Sequence, residues 1–156
     1  MEARLNVFIS PLAGKLLKHF AAAGKVVTDS GLPMTTQELV KIRASQINGC
    51  GFCLDMHTKE AAAAGETAQR LHMVAAWREA KVFTEAERAA LELAEQGTRL
   101  ADGTGVPDEV WENAAKHYDE EQLLALVSLI AVINAFNRLN VMTQQPAGDY
   151  VVGQFG

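Results

Sequence analysis

The sequence of 156 residues has no long basic run and no block where basic residues alternate with aromatic ones. With a formal net charge of −5, this excludes nucleic-acid binding as a first reading. It also lacks an apolar run of the roughly 20 residues needed to cross a bilayer. The most apolar stretch, Leu123 to Ile133, is interrupted by Ser128. The start, MEARLNVFISPLAGKLL, has no basic segment followed by a clean apolar one, so no signal peptide is read. The expectation is a soluble, cytoplasmic protein with no membrane partner. No glycine-rich phosphate loop is present, and the helical pattern leaves no room for a dinucleotide-binding sheet, so no organic cofactor is expected. Cysteine is scarce, with two residues in the chain. In a reducing cytosol such a pair points to catalysis or metal binding rather than to a structural staple.

What the sequence does have is helix-forming residues almost throughout: alanine, leucine, glutamate, lysine and glutamine, without alternating β-branched stretches. Ser10-Pro11 reads as a helix start, and that helix should run to about Val27. Thr35 and Glu38 form a candidate capping box for a helix over 36–47, which Asn48-Gly49 stops. Further helices are predicted over 50–64 and 67–80. Thr84 with Glu87 caps the next, to about Leu100. Pro107 starts a short helix through Lys116, and Asp119 with Gln122 caps the last, to about Val141. The expected architecture is all-α, one domain over 1–156 with about seven helices. Its buried set should centre on Leu39, Ile42, Leu91, Leu93, Leu126, Leu129, Ile130 and Ile133. Trp77 and Trp111 read as core or interface anchors. Asn134, Asn137 and Arg138 read as structural hydrogen bonders or an interface feature, and the acidic residues of 85–95 as a solvated face. His19, His72 and His117 lack cysteine neighbours and read as surface or packing histidines. The polar tail, 143–156, should be either loose or docked on a partner subunit.

Chemistry concentrates at 47–57, INGCGFCLDMH. On a helix, Cys50 and Cys53 lie one turn apart and His57 one turn further, all on one face. Amides at a helix start stabilise a thiolate, and an imidazole adds a positive neighbour or a proton acceptor. An activated dithiol is the leading reading. Two others stay open: a metal site, for which Glu38 is the one candidate extra ligand and no second Cys/His cluster is visible, and inert buried thiols. Helix-start electrostatics favour Cys50 as the lower-pKa thiol, whereas proximity to His57 favours Cys53. Glu38 has a capping role by position and a proton-sharing role with His57 by chemistry.

The stretch Glu38 to His57, ELVKIRASQINGCGFCLDMH, resembles the core motif of the AhpD-like alkylhydroperoxidases of the carboxymuconolactone decarboxylase superfamily. It has the glutamate, then Arg43, Ser45 and Asn48, then the cysteine pair and the histidine four residues on. Segments 77–95 and 106–139 resemble the later helices of that family. The resemblance implies an all-helical fold assembled as a homo-oligomer, trimer or hexamer. It implies thiol peroxidase chemistry on a hydroperoxide, with Cys53 attacking, Cys50 resolving, Glu38 and His57 relaying the proton, and an external dithiol or lipoylated protein as reductant. No metal is implied. One position departs from the pattern: Phe52 stands where characterised peroxidases of this type carry a histidine, which weakens the peroxidase expectation and makes a thiol–disulfide oxidoreductase or redox sensor the alternative. A metal-binding or assembly protein is the second alternative. The decarboxylases of the superfamily lack the cysteine pair, so decarboxylation is not expected.

Overall fold

Ser10 accepts a hydrogen bond from the Ala13 amide at 3.3 Å, and Pro11 occupies the first helical position, opening α1, Pro11–Thr28. In the computed structural model, which describes residues 2–155, six more α-helices follow. They are α2 (Met34–Asn48), α3 (Gly51–Ala63), α4 (Ala68–Met73), α5 (Glu85–Thr98), α6 (Asp108–Ala115) and α7 (Glu120–Thr143). Short 3₁₀ turns lie at Val74–Ala76 and Leu100–Asp102, and no strand occurs among the described residues. Met1 and Gly156, the two ends of the predicted domain and tail, lie outside those residues. The capping boxes at Thr84–Glu87 and Asp119–Gln122 both form.

Two local expectations differ. No Thr35–Glu38 capping box forms: Pro33 is the N-cap of α2, its fixed φ of −56° leading into the helix, and Thr35 lies within the first turn. The predicted helix over 67–80 stops at Met73 and tightens into a 3₁₀ turn. The guanidinium of Arg88 replaces the continuing helix there, donating to the carbonyls of Trp77, Ala80 and Arg78.

α2 lies centrally, packed on α3, α5 and α7. Val40 enters one apolar cluster with Leu93, Leu126, Leu129 and Ile130; Leu39 and Ile42 enter a second with Val74, Trp77, Phe83 and Leu91. All eight residues expected at the centre of the core are buried. Trp77 is buried as well, whereas Trp111 is 44% exposed. His19, His72 and His117 are exposed. α5 approaches α7 closely at Gly97, where an added Cβ would stand 3.1 Å from a methyl of Ile130.

The acidic residues of α5 are only partly the solvated face their composition suggests: Glu85 is exposed and Glu92 half-buried. Glu87 and Glu95 are buried. Glu87 pairs with Arg70 at 2.6 Å, and Glu95 takes Arg43 at 2.5 Å, the Trp77 indole N–H at 2.9 Å and Arg78. These charges lie inside because basic groups from three other segments meet them there; a buried carboxylate without such partners would not be tolerated.

Against the reading of 123–133 as too short, the whole of α7 is by length and composition alone apolar enough to span a membrane. In this fold it packs on α1, α2, α3, α5 and α6 and buries Leu126, Leu129, Ile130 and Ile133. The tail after it turns at Gln144 (φ 55°) and runs back along α3. There Asp55 accepts the amides of Gly148 and Tyr150 at 2.8 and 3.0 Å. Lys59 donates to the carbonyls of the same two residues.

Candidate active site

The turn between α2 and α3 sets the position of the cysteines. Gly49 adopts the left-handed conformation (φ 67°) that ends α2, and the Cys50 amide donates back to the Ser45 carbonyl at 3.0 Å. Cys50 thereby becomes the N-cap of α3, and its sulfur accepts the Cys53 amide at 3.3 Å. Cys53 lies one turn inside. The two form a disulfide with Cα atoms 5.3 Å apart, and each residue is 1% exposed. Cys53, His57 and Ala61 line the buried face of α3.

Glu38 comes from the second turn of α2 and is buried opposite His57. Its Oε2 lies 3.0 Å from His57 Nδ1, and its Oε1 accepts Lys41 Nζ at 2.7 Å. Burial pushes the Glu38 carboxyl up, but the hydrogen bond from His57 and the charge of Lys41 outweigh it and hold the group at about 2. An ionised carboxylate only accepts, so Nδ1 of His57 carries the proton of this bond and Nε2 is left to exchange one. The capping role considered for Glu38 is absent; both its oxygens serve side chains.

The fold brings together the four residues singled out as a site: Cys50, Cys53 and His57 on one helix, Glu38 across from them. The other motif residues hold the frame. Arg43 pairs with Glu95 on α5. Ser45, fully buried, accepts Asn137 Nδ2 at 3.0 Å. Asn48 donates to Asn134 Oδ1 and Asn137 Oδ1, each at 2.9 Å, locking the end of α2 to α7. Asn134 also donates to Thr98 of α5 and accepts from Arg138. Among the described residues, no group of three His, Cys, Asp or Glu converges as a metal centre requires.

One contact escapes the sequence reading. Asn140 Nδ2 lies 3.4 Å from Cys53 Sγ, across 87 positions of chain. The available signal was the spacing Asn134, Asn137, Asn140, three residues apart along the last helix and therefore on adjoining faces. Phe52, between the cysteines, packs on two other aromatic rings. Its ring lies 5.5 Å from that of Phe8 and 6.3 Å from that of Phe155. A cavity of about 400 Å³ opens over Phe52, Phe8, Pro146 and Tyr150. A second, of about 380 Å³, reaches Glu38 between Met34, Leu39, Glu66 and Arg70. Neither sulfur lines either one.

A helical fold with a cysteine pair at a helix start and a Glu–His pair beside it defines the AhpD-like class. The sequence model of the carboxymuconolactone decarboxylase family matches residues 12–96, more than half of the chain, and the chain belongs to that family. It is 47% identical over 142 residues to the uncharacterized protein YdfG of Bacillus subtilis, covering 90% of this chain and 94% of that one. A solved protein of unknown function from Agrobacterium tumefaciens, assigned provisionally to antioxidant defence as AhpD, superposes with a TM-score of 0.87. It shares 34% identity, over 96% of this chain and all of that one. The debrominase Bmp8, solved with 2,3,4-tribromopyrrole, has the same fold at 19% identity and a TM-score of 0.78, over 87% of this chain and 72% of that one.

Proposed function

We propose that this protein is a thiol-dependent peroxidase that reduces alkyl hydroperoxides through a Cys50/Cys53 dithiol–disulfide cycle. The observation that carries the reading is the buried Glu38–His57 pair, one helical turn beyond a cysteine already joined to its partner. The Cys53 thiolate attacks the outer peroxide oxygen. The O–O bond breaks, the alkoxide leaves as an alcohol with a proton from His57, and Cys53 becomes a sulfenic acid. The Cys50 thiolate then attacks Cys53 Sγ, the hydroxyl departs as water, and the disulfide closes. An external dithiol, free or on a lipoylated protein, reduces the pair and is itself oxidised to a disulfide. Glu38 fixes the His57 tautomer through its bond to Nδ1. The test is stopped-flow mixing of pre-reduced protein with cumene hydroperoxide, counting free thiols before and after. Loss of both thiols, much faster than that of free cysteine, is expected. Loss no faster than free cysteine overturns the reading.

Phe52 supports a second reading, a thiol–disulfide oxidoreductase or redox sensor, because an aromatic ring packed on Phe8 and Phe155 moves no proton. That protein would cycle its disulfide with dithiols yet consume peroxide slowly. In either case the protein acts in the cytosol as a homo-oligomer, trimer or hexamer. Exposed Leu12 of α1 and Leu124 of α7, 76% and 68% accessible, are surfaces suited to such assembly. Light scattering on purified protein tests it: a monomeric mass discards the oligomer.

A further inference from the structure

The two sulfurs have different hydrogen-bond donors, and the difference favours one of them. Cys50 Sγ receives a backbone amide, that of Cys53. Cys53 Sγ receives a side-chain amide from another helix, Asn140 of α7, at 3.4 Å. Asn140 is held in place by its own backbone: its carbonyl accepts the Gln145 amide at 3.0 Å where the chain turns out of α7. The Asn48 clamp on Asn134 and Asn137 ties the same helix to the end of α2, next to the cysteines. The donor is thus preorganised toward one sulfur and cannot be supplied by the helix start.

We infer that Asn140 is a catalytic residue that stabilises the Cys53 thiolate, and with it the developing negative charge on that sulfur when the disulfide is reduced. This rests on the peroxidase reading only for its consequence in turnover; the stabilisation of the thiolate is a property of the sulfur itself. An N–H donor to an ionised sulfur is a charge-assisted bond, stronger than the same contact to the neutral disulfide. It therefore favours Cys53 over Cys50 as the departing thiolate when an incoming dithiol opens the bond at Cys50. It also favours Cys53 as the nucleophile afterwards. The competition between helix start and histidine is settled by a third group.

The experiment uses the full chain with Cys50→Ser, in which Cys53 is the sole thiol. The ultraviolet absorbance of the thiolate is followed against pH with Asn140 intact, with Asn140→Ala and with Asn140→Asp. Removing the donor should leave about tenfold less thiolate at a fixed pH below the titration midpoint, one pKa unit upward. The aspartate, isosteric but negative beside the sulfur, should raise the pKa further than alanine does. A merely structural asparagine would not produce that order, and the shape-conserving aspartate carries the test should the alanine variant fold poorly. Equal pKa values in all three proteins, or an aspartate value at or below alanine's, overturn the inference. Slow peroxide consumption by the unaltered protein would remove the peroxidase reading and leave the order of thiol pKa values standing.

Discussion

His57 Nδ1 on α3 and Glu38 Oε2 on α2 are 3.0 Å apart, buried together and separated by 19 positions in the chain. The pair bears on stability as well as on the proposed chemistry. Glu38 titrates at about 2 in the fold against an ordinary 4.5. The contribution is therefore fully present above about pH 4.5 and is lost as the pH falls through about 2. Across the whole window it amounts to about 3 kcal/mol. Glu38→Gln should flatten the dependence of unfolding free energy on pH in that range, measured by urea denaturation. The same variant should turn over peroxide about a hundredfold more slowly at neutral pH, the scale of a lost acid–base group. Unchanged turnover would separate the pair from the reaction.

The two cysteines should fail differently. Cys53→Ser should consume no peroxide above background. Cys50→Ser should react once and stop at the sulfenic acid, trapped by dimedone and read by mass spectrometry. Dimedone labelling of Cys50 in the reciprocal variant would reverse the assignment.

Asn48 donates to the side-chain Oδ1 atoms of Asn134 and Asn137 on α7, and Asn137 is fully buried. Asn48→Ala should destabilise the protein by about 1–3 kcal/mol, the penalty for stranding a buried acceptor. The midpoint of urea unfolding should fall with its slope unchanged. A midpoint equal to that of the parent would mean that water replaces the clamp.

Phe52→His should raise the rate of hydroperoxide consumption by about tenfold, because a titratable group then stands beside the attacking sulfur. It should also lower stability by about 1 kcal/mol as the Phe8–Phe52–Phe155 cluster loses a ring. A rate no higher than the parent's would show that Phe52 does not limit the chemistry.

Asp55 holds two amides of the tail, and its carboxyl lies below the usual range because Lys59 bonds it, against partial desolvation, with the Tyr150 and Gly148 amides adding to the effect. Asp55→Ala should release residues 147–155 to limited proteolysis while helix content by circular dichroism stays the same. Equal cleavage in parent and variant would assign the tail's anchorage to Glu60, which accepts the Tyr150 hydroxyl and the Gly153 amide.

The helices were legible because their signals act over three or four residues. Ser10, Thr84 with Glu87, and Asp119 with Gln122 each meet their partner within a single turn, so the order of residues already contains the interaction. The same is true of Cys50, Cys53 and His57, whose alignment needs only the helical period. What one period cannot contain is which helix lies opposite. Glu38 reads as a cap by position and as a proton relay by its resemblance to the family motif, and the packing of α2 on α3 decides between them. Glu87 and Glu95 looked solvated until Arg70, Arg43 and Arg78 arrived from elsewhere. Asn140 had no visible task until α7 reached the start of α3. The sequence by itself determined an all-helical chain with a closely spaced pair of cysteines at a helix start. Tertiary structure alone decided which charges are buried and which donor each sulfur receives, because burial and hydrogen bonding across helices depend on facing surfaces rather than on neighbours in the chain.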